Sequence, residues 1–288
     1  MKKESDASID AKYTTLEYLE RAKEAHFVEV HSVIEYLEQV ASLAPYAELW
    51  FRGLASTEYG LSPGLVWRGA EEDEKSYVHR FLVSYKAMTH LRYDNPWELY
   101  ALMQHHGLPT RLLDWSKSPL VALYFALTQD PDLDSDRMVW FIQPHSFNRV
   151  VSGIETVFCP GSLMSPKIKE SGVALDLDHY LPSALITDDD YSDLLPEKPI
   201  AIEAPLSGDR IVAQSGCFTV HGRSQHTIDH YLKENDQWPP FVSSFVLKTK
   251  GKLKEFTEVL YSFGLTEDFI FRDLDSLSAR IKRELSSK

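Results

Sequence analysis

Cysteine is nearly absent: Cys159 and Cys217 are the only two in 288 residues. Two thiols so far apart in the chain support neither a disulfide framework nor a structural zinc site, so both are expected to be reduced and no metal is expected. Basic residues are also short. Lysine and arginine total 30 against 43 aspartates and glutamates, a formal charge of −13 with neutral histidine. A surface of that sign repels phosphate backbones on average, which disfavours broad non-specific nucleic-acid binding. No apolar run approaches the roughly 20 residues that cross a bilayer, and the opening MKKESDASID lacks the apolar segment of a secretion signal. Membrane partners are therefore not expected, and the cytoplasm is the default location. The glycine fingerprints of phosphate-loop and dinucleotide-binding folds are missing. So is the G-x-S-x-G turn of serine hydrolases, since Ser215-Gly216 has no leading glycine.

What remains is ample for a core, with 43% apolar residues, and no repeat or linker divides the chain. Residues 14–26 read as a helix, FVEV as a short extended run, and Ser32 with Glu35 three residues on as a capping box that opens a second helix. ELWFRGL reads as a strand. EEDEKSYVHRFLVSYKAMTHL reads as a long amphipathic helix with Tyr77, Phe81, Tyr85 and Met88 at three-to-four spacing as core. RMVWFIQP is a strand, residues 160–196 an irregular stretch expected to be functional or partly disordered, and PIAIEA, RIVAQSGCFTV and FVSSFVLKT three strands. The glycine in the second of these suggests a bulge or a close backbone approach. KLKEFTEVLYSF and DLDSLSARIKREL close the chain as helices. The reading is an α+β fold, one mixed or antiparallel sheet flanked by helices over residues 46–288, with residues 1–45 as a helical appendage.

The unusual chemistry is concentrated in ALMQHHGLPTRLLDWSKSPLVALYFAL. Asn95 suits an N-cap, Pro96 the first helical position and Glu98 the third, while Gly107 and Pro109 end the helix near His106. His105 and His106 then sit in a last turn, where the helix dipole favours imidazolium. Residues 112–115 read as a strand, and Ser118-Pro119 repeats the cap-then-proline signal ahead of a helix apolar on nearly every face, hence buried. Arg111 and Asp114 fall on the ordered turn beside the histidines. Arginines 52, 68, 111, 210 and 223 lie in apolar or glycine-containing segments and could gather around one anion. The DDD run at 188–190 reads as a solvated loop or a weak divalent-cation site.

Three separated segments, LWFRGLASTEYGLSPGLVWRG, HHGLPTRLLDWSKSPLVALYFA and RIVAQSGCFTVHG, together resemble the FRG-domain family, named for the triplet seen here at Phe51, Arg52 and Gly53. The resemblance extends over residues 47–281. It implies a fold like that of NAD-dependent ADP-ribosyltransferases, with transfer of ADP-ribose from NAD, as substrate, to an RNA, DNA or protein acceptor. It also implies a setting in antiviral defence or a toxin–antitoxin module, with an antitoxin or other neutralising protein as partner. On this reading Arg52 forks to phosphate or ribose and Gly53 permits close approach. Tyr59 or Tyr124 stacks on nicotinamide, Thr110 and Arg111 line the cofactor site, and His221 lies at the rim with Arg223. Gln214, on a late strand where a glutamate is commoner, holds a ribose hydroxyl, and His105, His106 or Asp114 accepts a proton.

Each role has a structural alternative. Arg52 could pair with a carboxylate such as Asp114, and Arg111 with Asp114 locally. The histidines could cap the helix, Tyr124 pack in the core, Gln214 bond neighbouring backbone, and His221 serve as a turn polar. The competing functional classes are a noncatalytic nucleotide- or anion-binding module, which needs clustered arginines, and an interaction subunit, which needs an exposed apolar stripe on the first two helices.

Overall fold

The computed structural model describes residues 27–43, 48–89, 93, 95–160, 167–170, 173–186, 195–205, 209–224, 227–228 and 242–286. The helix expected at 14–26 and the DDD run lie outside these residues.

In chain order the elements are β1 (Phe27–Val30), α1 (Val33–Leu43), β2 (Trp50–Leu54), α2 (Gly64–Trp67), α3 (Glu74–Met88), α4 (Pro96–His105), β3 (Leu112–Ser116), α5 (Pro119–Thr128), β4 (Arg137–Ile142) and α6 (Pro144–Ser152). There follow β5 (Lys167–Glu170), β6 (Val173–Asp176), β7 (Ile200–Glu203), α7 (Asp209–Ala213), β8 (Gly216–Val220), β9 (Val242–Leu247), α8 (Leu253–Ser262), α9 (Glu267–Phe271) and α10 (Leu274–Ser286). Seven strands form one open mixed sheet in the order β1-β9-β4-β2-β3-β8-β7. Among the described strands of this sheet β1 with β9 runs parallel and the other five pairs run antiparallel. The fold is α+β, with helices on both faces. β4 is buried at all six positions because both its faces are covered.

On one face α5, α1 and α8 pack over Phe51, Phe141 and Phe245, and on the other Trp50, Trp115, Met138 and Phe147 form a second core. Within the range read as an appendage, β1 extends the sheet beside β9, and Tyr36 and Val40 of α1 belong to the first core. That buries the apolar face of α1, leaving Ile34 half exposed, so α1 carries no apolar stripe of the kind an interaction subunit needs. The capping box forms with a shift of one residue. Ser32 Oγ accepts from the Glu35 backbone N–H at 3.0 Å, but the Glu35 carboxylate accepts from the backbone N–H of His31 instead of Ser32, at 2.6 Å.

Three further readings differ from the structure. Tyr85 is buried and Tyr77 and Phe81 half-buried, but Met88, the last residue of α3, is 85% exposed. The stretch 160–196, read as irregular, carries β5 and β6 where described, Leu177, Tyr180 and Leu185 enter a third core, and Trp97 Nε1 donates to Asp178 at 2.9 Å. The segment read as one strand from Arg210 begins as α7, and β8 starts only at Gly216, which pairs regularly with Ser116 and forms no bulge.

A buried cation organises the β4 end of the sheet. The Arg137 guanidinium donates to four backbone carbonyls, those of Ala55, Gln129, Asp130 and Leu133, at 2.8–3.0 Å.

Gly53 is explained by space. A Cβ there would lie 1.9 Å from Ala122 O and 2.5 Å from Ala126 N, both backbone atoms of α5. Neither can step aside as a flexible side chain would. Gly53→Ala is expected to cost at least about 3 kcal/mol as overpacking against an immovable neighbour. Urea unfolding checks this, and an unchanged midpoint would show that α5 can retreat.

Candidate functional site

The sheet is not continuous through its middle. β4 pairs along all of β2, and β8 along all of β3, but β2 and β3 themselves share only the pair Phe51 with Ser116. Beyond that point they part, and a cavity of about 210 Å³ opens between them. Arg52, Gln104, His105, Asp114, Phe125 and Gln214 are among its lining residues.

Continuing the register would set Gly53 opposite Asp114, and the Asp114 carbonyl would take a backbone donor. Instead it accepts from Arg52 Nη1 at 2.7 Å. The same nitrogen stands 4.0 Å from the Asp114 carboxylate, a loose and largely solvated ion pair that contributes little stability. Arg52 Nε is buried with no hydrogen-bond partner among the described residues, an uncommon state for a buried donor. The Asp114 carboxylate is 56% exposed but oriented. It accepts from Gln104 Nε2 at 2.6 Å, Gln104 Oε1 accepts from Thr110 Oγ1 at 2.6 Å, and Thr110 Oγ1 accepts from Leu112 N at 3.1 Å. A carboxylate fixed at the mouth of a cleft, facing a guanidinium, can hold a hydroxyl, accept a proton or stabilise a developing positive charge.

Gln214 reaches this cleft from a turn between α7 and β8, not from a strand. Ser116 Oγ donates to Gln214 O at 2.6 Å and Lys117 N to Ser215 O at 3.0 Å, while Ser215 takes the left-handed conformation with φ +47°. The turn is thereby fastened to the end of β3. Gln214 Nε2 donates to Ile270 O at 3.3 Å. His105 lines the cleft, whereas His106, the exposed C-cap residue of α4, lines a neighbouring cavity instead.

The remaining candidates have other tasks. Arg111, 6% exposed, donates through Nε and Nη2 to Glu74 at 3.0 and 2.9 Å. Tyr100 closes the triangle, its hydroxyl accepting from Arg111 N and donating to Glu74, each at 2.7 Å. Neither Asp114 nor a ligand is therefore its partner. Arg68 lies over the Trp67 ring and Arg223 is 3.5 Å from Glu197 at the surface, so Arg52 is the arginine that lines the cleft among the described residues. The close approach at Gly53 is made by α5. Tyr59 is exposed and donates to Asp130 at 3.3 Å, away from the cleft. Tyr124 is core, with its ring edge-on to Phe125 and Phe271 at 5.8 and 6.2 Å. Thr110 acts through Gln104. His221 is 1% exposed, donates its backbone N–H to Arg111 O at 2.9 Å, and keeps a buried Nε2 without a partner. Gln104 and Glu74 were missed in the sequence. Gln104 carried one signal, a bifunctional amide in the last turn of a helix that faces a carboxylate-bearing turn.

Residues 47–135 match the family model described as FRG domain. No curated protein and no solved structure matches the chain. The matched segment takes in Arg52, Gln104, Thr110 and Asp114 and stops short of Gln214 and His221.

His221 carries a pH consequence. Burial, and secondarily the charge of Arg52, push its imidazole from the ordinary 6.5 down to about 3. The folded state refuses a proton that the unfolded chain accepts below about pH 6.5, so stability is whole above that pH and falls as pH drops toward 3, at up to about 1.4 kcal/mol per pH unit. Between pH 6.5 and 5, His221→Gln is expected to show a shallower loss of stability than wild type in chemical denaturation; parallel curves would mean that His221 is not the group responsible.

Proposed function

We propose, from the premise that residues 47–135 are an FRG domain, that the split in the sheet is the active site of an NAD-dependent ADP-ribosyltransferase-like effector. The observation that supports this best is the meeting of Arg52, Asp114 and Gln214, drawn from three distant stretches, on one cleft. A noncatalytic anion site is less well supported, because three of the five arginines named for it are engaged elsewhere, Arg111 with Glu74, Arg68 over Trp67 and Arg223 near Glu197.

The cleft, at about 210 Å³, is smaller than the roughly 300–1,000 Å³ of sites for drug-sized ligands. It would take the nicotinamide–ribose end of NAD and not the whole dinucleotide. The bond from ribose C1′ to the nicotinamide nitrogen breaks, and its electron pair stays on that nitrogen and neutralises the pyridinium. The oxocarbenium-like ribose is left beside the Asp114 carboxylate, which Gln104 holds in place. An acceptor nucleophile then bonds to C1′ and gives its proton to Asp114. Arg52 Nε and the Gln214 amide supply fixed polar contacts to ribose or phosphate, where preorganised groups are most effective. The nucleic-acid or protein acceptor, and a setting as a toxin held by a neutralising partner, follow from the family resemblance and not from the cleft.

Incubation with ³²P-labelled NAD and cell lysate or RNA tests the reading. Wild type should label an acceptor, and Arg52→Ala and Asp114→Asn should each lower the rate by about 10²-fold or more, with Gln214→Ala also impaired. Absence of both NAD binding and label transfer in wild type would falsify the proposal.

A further inference from the structure

A second cavity, of about 450 Å³, lies between α3 and α4 and shares His105 and Ile211 with the first. Its character is different. Phe81, Tyr85, Met88 and Tyr93 line it, and among the described residues no aspartate, glutamate, lysine or arginine does. The Phe81 and Tyr85 rings are stacked, with centroids 5.5 Å apart and planes 5° apart, and Met88, at the lip, is 85% exposed. Of the apolar α3 residues in this lining Met88 is the exposed one, Phe81 is half-buried and Tyr85 is buried.

The Lys86 ammonium stands 6.0 Å from the Tyr85 ring centroid, but the described lining itself carries no fixed charge and so offers little to select phosphate. Flat rings and a polarisable thioether instead suit a planar, uncharged heterocycle, since every nucleobase offers a π-face to stack. The first cavity alone falls short of a dinucleotide, whereas the two together fall inside the range of about 300–1,000 Å³. Their shared wall offers an imidazole, His105, where a linker would pass.

We infer that the cavity between α3 and α4 is the subsite for the adenine half of the dinucleotide whose nicotinamide half enters the split sheet. The inference rests on the transferase reading for its second half only. The adenine subsite itself is read from Phe81, Tyr85, Met88 and Tyr93.

Calorimetric titration of the full chain with AMP, nicotinamide mononucleotide and NAD separates the two. Phe81→Ala should weaken AMP and NAD by roughly 5- to 100-fold, the size of one lost base stack, and leave nicotinamide mononucleotide unchanged. Arg52→Ala should do the reverse for the two halves. Because Phe81 is half-buried, Met88→Glu provides a second variant at an exposed position. Its carboxylate at the lip should weaken AMP without altering unfolding. If wild type binds AMP in a Phe81-dependent way but neither NAD nor nicotinamide mononucleotide, the transferase reading falls and the adenine subsite stands. Should Phe81→Ala and Met88→Glu leave AMP and NAD affinity intact, the inference is overturned. That includes the case in which the variants lower transfer to RNA alone, which would make the cavity an acceptor-base site.

Discussion

The contact of α5 with Gly53 sets the shape of everything at the cleft. The helix starts directly after β3, where Ser116 Oγ accepts from Ser118 N at 2.9 Å and Ser118 Oγ in turn accepts from Val121 N. Within two turns it must lie on β2 so closely that Ala122 O and Ala126 N occupy the space of a Gly53 side chain. Small residues one turn apart on the helix, facing a glycine on the strand, permit that approach. A helix tied to the end of β3 and pressed on β2 leaves those strands one shared pair, Phe51 with Ser116, and they diverge on the side where the helix crosses.

A split sheet leaves backbone groups to be satisfied, and here one of them decides the role of Arg52. Alternation along β2 turns Phe51 and Gly53 toward α5 and Arg52 away from it, where its guanidinium supplies the donor that the Asp114 carbonyl lacks. A hydrogen bond from a charged donor contributes roughly 1.5–3 kcal/mol, enough to justify a cation in this half-buried position. The structural and the chemical readings of Arg52 are thus complementary. Nη1 closes the split, and Nε, buried without a hydrogen-bond partner, is the donor that the proposed site would use.

The local parts of this arrangement were legible in the sequence. Asn95 caps α4 by accepting from Trp97 N, Gly107 ends that helix at φ +79°, and Ser118 with Pro119 opens α5, each where the residue types place it. What was not legible depends on partners distant in the chain or on parity. Arg111 and Asp114, three apart, would be neighbours on a helix; in an extended segment an odd spacing sends them to opposite faces, and Arg111 finds Glu74, 37 residues upstream, instead. Gln214 sits in a run whose composition is that of a strand, but its carbonyl and that of Ser215 are taken by Ser116 and Lys117. That capture shortens β8 and brings the glutamine to the cleft. No local pattern announces it.

The charge distribution constrains how such a cleft can select its ligand. A chain of formal charge −13 repels an anion at long range, and salt confines that field to about 8 Å at physiological ionic strength. Arg52 is the arginine in the cleft among the described residues, with Nη1 already on the Asp114 carbonyl and the Asp114 carboxylate 4.0 Å away. Its attraction is partly cancelled before a phosphate arrives. On the proposed reading, affinity would come from contacts that act within van der Waals or hydrogen-bond distance: the apolar walls of the split, the carboxylate positioned by Gln104, and the stacked rings of α3. Groups of that kind discriminate by shape and by hydrogen-bond pattern instead of by charge, which is the selection that the proposed dinucleotide site would rely on.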